Sequence, residues 1–161
     1  HAPTTEPGAY RLSTWLTDAS RLRGALRPGH VLAVSVAGFA LDVAYVGPNN
    51  GLSDPSVLER RRGFSLAPLG SEDDPGGCVE LSARIMSVRH VRNSLTRLAV
   101  DVLEVDAPER ALHLFVSPWQ LEQDRLPAPR PGYRIEGSFL FTGRVAGGIP
   151  GPRRAGRKSF G

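Results

Sequence analysis

Glycine and proline cut this chain into short β-branched runs, and that punctuation limits its fold more than any other feature. Eighteen glycines and fourteen prolines stand among 161 residues. They gather at segment boundaries and follow no collagen-like period. Long helices do not survive such spacing, whereas short strands use it at every corner.

The run HVLAVSVAGFALDVAYVG over 30–47 is too β-branched and too interrupted for a buried helix. It reads as two strands, or as one strand bent at Gly38, with Leu41, Val43 and Tyr45 on one face. Cys78 to Arg89 alternates Val79, Leu81, Ala83 and Ile85 against polar residues. His90 to Asn93 then forms the link. Leu95 to Val105 returns with Leu98, Val100 and Val102 on one face, and Ala111 to Ser117 follows as the next strand. Tyr133 to Val145, broken by Gly137 and Gly143, closes the set. Pro28-Gly29 and Pro131-Gly132 each precede a glycine-interrupted apolar strand. A helix is expected from Ser13 to Leu26, where Trp15, Ala19, Leu22 and Leu26 share one face.

The expected fold is therefore all-β: a small antiparallel, glycine-bent, partly closed barrel, OB-like or related, with a short N-terminal helix. Residues 1–9 read as a flexible leader. Residues 10–146 form a single β-barrel domain with a long 47–77 connection, and 147–161 form a basic Gly/Pro/Arg tail.

A net charge of +4 suggests a nucleic-acid partner until it is located. Arg153, Arg154, Arg157 and Lys158 supply all of it, and the other residues hold equal numbers of acids and bases. The P-loop, the dinucleotide fingerprint, the zinc-peptidase helix and the nucleophile elbow are all missing. One cysteine, Cys78, permits no internal disulfide, and four scattered histidines have no metal-ligand spacing. Neither a cofactor nor a metal is expected. The apolar stretch Val31–Gly47 contains Asp42, a poor membrane signal. With no signal-peptide pattern in these residues, a cytoplasmic protein away from the membrane is expected.

The leading functional expectation is a non-enzymatic binding or accessory module for an anionic partner, either nucleic acid or an acidic protein surface. Arg89 and Arg92, with Asn93 adding directional hydrogen bonds, suit a phosphate or carboxylate. Phe115, Trp119 and Tyr133 interleave with Arg130 and Arg134 as aromatic and basic residues do on single-strand binding surfaces. The tail cations 153, 154, 157 and 158 form a second anion-binding candidate. The alternative is a cavity-containing barrel, either an isomerase, cyclase or lyase, or a protein holding a small apolar ligand. Asp42, His113 and Tyr133 would then supply its catalytic groups. Asp42 reads more simply as outward-facing, and Asp101 and Glu104 as surface partners of cross-strand cations. A homo-oligomer is left open.

Overall fold

The computed structural model describes residues 12, 14–22, 24, 32–47, 63–70, 76–108 and 110–146. The predicted leader 1–9 and tail 147–161 lie outside the described residues, as does most of the first Pro-Gly repeat. The elements are β1 (Trp15–Leu16), α1 (Ala19–Leu22), β2 (Val34–Val46), β3 (Ser65–Pro68), β4 (Cys78–Arg92), β5 (Ala99–Val105), β6 (Leu112–Val116), α2 (Pro118–Gln123) and β7 (Arg134–Val145).

Five of these strands close into a mixed barrel in the order β2-β6-β5-β4-β7, with β7 returning to β2. Four seams are antiparallel, as expected, and the β2–β6 seam is parallel. Parity explains the exception. Strands alternating in direction around a closed ring must be even in number, so five strands leave one seam whose neighbours run the same way.

The barrel is filled by side chains. Phe139, Phe141, Leu81, Ile85, Leu103, Leu114 and Ile135 are fully buried, and they alternate with outward residues as strand geometry requires. The expected bend at Gly38 is a close approach. A Cβ there would stand 2.7 Å from Leu114 Cδ2 and 2.9 Å from Phe141 Cζ. β2 is one continuous strand whose register with β7 shifts between Ala40 and Asp42. That irregularity turns Leu41 outward, 52% exposed, while Val43 and Tyr45 stay inside.

The N-terminal helix is shorter than its periodicity predicts. Trp15 and Leu16 pair with Thr142 and Gly143 of β7, and helix begins only at Ala19. The Asp18 carboxylate accepts a hydrogen bond from the Val145 amide at 3.3 Å, tying this segment to the barrel. Leu22 is buried as expected.

The β6-to-β7 connection covers one end of the barrel, where Leu121, Leu126 and Tyr133 pack against the core. Trp119 is 65% exposed. The β4–β5 hairpin also departs from expectation. β4 runs through His90 to Arg92, and the reversal occupies Asn93–Leu98. The inward residues of β5 are Asp101, Leu103 and Val105; Val100 and Val102 lie on the opposite face, where Val102 is buried all the same.

Candidate binding groove on the outer barrel face

The outer surface of β2, β6, β5 and β4 carries a continuous apolar groove. Register aligns Phe39 with Phe115, Phe115 with Val102, and Val102 with Arg89, giving one row across four strands. The rings of Phe39 and Phe115 stack, with centroids 5.3 Å apart and planes inclined by 24°. Beside them a depression of about 610 Å³ is walled by Val91, Leu95 and Val100. Asn93, Ser94 and Ser117 add polar atoms at its margin. Its size falls within the range of small-molecule pockets, roughly 300–1,000 Å³.

The turn that bounds the groove is internally braced. The Asn93 side-chain oxygen accepts hydrogen bonds from the Leu95 amide at 2.9 Å and the Thr96 amide at 3.1 Å. Arg97 adopts a left-handed conformation, φ 62°, which closes the turn. Asn93 therefore shapes the groove through its backbone contacts, and its oxygen is already engaged. Leu95 and Leu98 are left 91% and 67% exposed.

No family model, curated protein or solved structure matches the chain. The chemistry of this face must be read from its own residues.

The groove unites candidates that are distant in sequence and separates others that are close. Phe115 joins Asn93, while Arg89 occupies the same face and Arg92 the opposite face of β4. Between Ile85 and Val100 there are three arginines, 89, 92 and 97, and no acidic residue. The nearest outward carboxylate of β5, Glu104, accepts a hydrogen bond from Ser87 Oγ at 3.0 Å. Arg134 lies elsewhere. It donates to Ser82 Oγ at 2.8 Å and to the Gly63 carbonyl at 2.6 Å, joining the β3 approach to the barrel. Tyr133 is half-buried against the core, and Arg130 is exposed beyond it. Trp119 lies two residues past Ser117. The tail cations lie outside the described residues.

Phe39, Val91, Leu95 and Val100 are absent from the sequence-based candidates. A usable signal existed: Phe39 is an aromatic next to Gly38, and Leu95 is an aliphatic side chain inside a turn.

Asp42 and His113 are exposed on the outer surface. The catalytic alternative needs them directed into an interior pocket, and packed side chains occupy that interior. Asp101 and Glu104 face opposite sides of β5, so they do not form a carboxylate pair. Asp101 corrects the expectation of a surface carboxylate. It is 3% exposed, and its described partner is His90 Nδ1 at 2.5 Å. Leu103 and Val105 are fully buried and fix the inward phase of β5, which carries Asp101 in with them. Among the described residues, no group of three or more His, Cys, Asp or Glu side chains is placed to hold a metal. No described helix is long and apolar enough to cross a membrane.

Tyr45 lies near this buried carboxylate. Its hydroxyl is buried without a hydrogen-bond partner among the described residues. Burial, and secondarily the Asp101 charge, raise its pKa well above the ordinary value near 10. The folded state thus holds the phenolic proton more tightly than the unfolded chain does. This contribution is complete below pH of about 10 and is lost as pH rises from there toward the folded pKa. Urea titrations across alkaline pH should show stability falling above that point, with a shallower fall in Tyr45→Phe. Near neutral pH the same substitution should change stability by less than about 1 kcal/mol, because it removes no hydrogen bond to a described group. A loss of several kcal/mol would contradict the unpartnered hydroxyl.

Proposed function

We propose that this protein is a non-enzymatic binding module for an anionic partner, with the outer face of β2, β6, β5 and β4 as its contact surface. One observation carries the reading: the stacked Phe39–Phe115 groove shares its face with Arg89 and its bounding turn with Arg97, in a stretch that holds no acid. The apolar walls reward desolvation, and guanidinium groups select carboxylate or phosphate. A cytoplasmic setting belongs to the same proposal.

The strand order supports an OB-related reading. Read cyclically from β4, the ring has a three-stranded meander, a short helix, then β7 beside β4, and finally β2 between β7 and β6. Those are the neighbour relations of an OB barrel whose last strand has moved to the front of the ring. OB barrels use an outer sheet face and adjoining loops to bind extended polymers.

Two polyanions test the reading, polyglutamate and a single-stranded oligo-dT, in titrations across a range of salt. Binding to at least one should weaken as salt rises. Arg89→Ala should lower that affinity and flatten its salt dependence, by roughly 0.7 for the lost contact on the single strand. Substituting the four tail cations by alanine separates their contribution. If neither probe responds to Arg89, the proposed face is not the anion site.

A further inference from the structure

Resting on that reading, we propose that the groove takes an extended segment of another protein in which aliphatic or aromatic residues are interspersed with Asp and Glu. The lining decides between this occupant and nucleic acid. Single-stranded nucleic acid binds on successive exposed aromatic platforms, one base to each. Here Phe39 and Phe115 are stacked on one another and form one platform, and Phe115 is half-buried. The remaining walls, Val91, Val100 and Leu95, are aliphatic. They offer van der Waals contact and dehydration to an apolar side chain but no π-face to a base.

Leu95, 91% exposed at the turn, sharpens the choice. An apolar side chain in a turn that also carries Arg97, on the face that carries Arg89, is matched by a partner that is both apolar and acidic. A nucleic-acid backbone would set its charged phosphates and sugars against Leu95 and Val91. An uncharged apolar ligand would leave Arg89 and Arg97 without a counterpart.

A second copy of this chain is a poorer occupant. Its corresponding hairpin would bring further arginines to the contact, with no acid between Ile85 and Val100. The acidic-apolar segment alone satisfies the walls and the rim together, placing apolar side chains in the depression and carboxylates on guanidinium groups.

Selection of a random-peptide display library on the full chain tests this assignment. The enriched peptides should combine Asp or Glu with large apolar residues. A fluorescent copy of an enriched peptide should bind at least about tenfold more tightly than oligo-dT at the same salt. Val91→Glu and Arg89→Glu should each weaken it by about tenfold or more. Both positions are exposed, and circular dichroism will show whether each variant keeps the native fold. Leu95→Ser, at the most exposed wall residue, provides an independent check on the apolar contribution.

Enrichment of peptides without acids, or binding indifferent to these substitutions, overturns the inference. So does oligo-dT binding as tight as that of the peptide, although Arg89-dependent oligo-dT binding would leave the anionic-partner reading intact. Failure of every peptide, polyglutamate and oligo-dT overturns both.

Discussion

Gly137→Ala should prevent stable folding or cost more than about 3 kcal/mol, measured by urea unfolding under circular dichroism. Gly137 has φ 153°, and an added Cβ would stand 2.0 Å from the Asp42 carbonyl oxygen and 2.8 Å from Val43 Cα. Both contacts are backbone atoms of β2 at the register shift, so no side-chain rotation relieves them. The β2–β7 seam would have to part beside the position where its register shifts. Gly132 provides the control. Its φ is also positive, at 87°, but a Cβ there meets nothing within 4 Å. Gly132→Ala should therefore cost only the conformational strain, about 1 kcal/mol. Equal effects at the two sites would show that the close approach at Gly137 does not govern the barrel seam.

His90→Ala should destabilise the fold by about 1–3 kcal/mol, although the His90 side chain is 77% exposed. The cost arises at Asp101, whose side chain is 5% exposed. Removing the imidazole leaves that carboxylate without its described hydrogen-bond partner while it remains buried. His90→Asn places an amide donor at the same position and should recover part of the loss if the shorter side chain reaches the carboxylate. The urea midpoint should fall for the alanine variant with little change in slope. A shift within about 0.5 kcal/mol, the usual range for surface substitutions, would remove the special role assigned to His90.

Much of the barrel is legible from local pattern. Val79, Leu81, Ala83 and Ile85 announce the inward face of β4, and Leu112, Leu114 and Val116 that of β6. On β5 the pattern misleads because both faces are apolar. Val100 and Val102 alternate as convincingly as Leu103 and Val105, and an acid at 101 favours the wrong choice. Only the neighbouring strands decide which side is enclosed. The parallel β2–β6 seam is likewise a property of ring closure and not of any local segment.

The candidate groove was legible only in part. Arg89, Arg92, Asn93 and Phe115 can be selected by chemical type, but their relation depends on a β4–β5 hairpin set beside β6. Phe39 enters from β2, more than seventy residues before its ring partner Phe115. Conversely, Arg130, Tyr133 and Arg134 are close to Trp119 in sequence, while the fold assigns Tyr133 and Arg134 to packing and to the β3 approach.

The displaced register at Leu41 gives β2 two side-chain phases. Val36, Gly38 and Ala40 point inward before it, and Val43 and Tyr45 after it. The strand thus behaves like a message read in two frames. Phe39 belongs to the first frame and reaches the outer groove, whereas Tyr45 belongs to the second and reaches the core beside Asp101. With Leu41 in the chain, an unbroken alternation carried past Ala40 would instead turn Asp42 and Ala44 inward and Val43 and Tyr45 outward. The junction therefore lets a single strand hold a surface composition and a core composition that no unbroken alternation could reconcile.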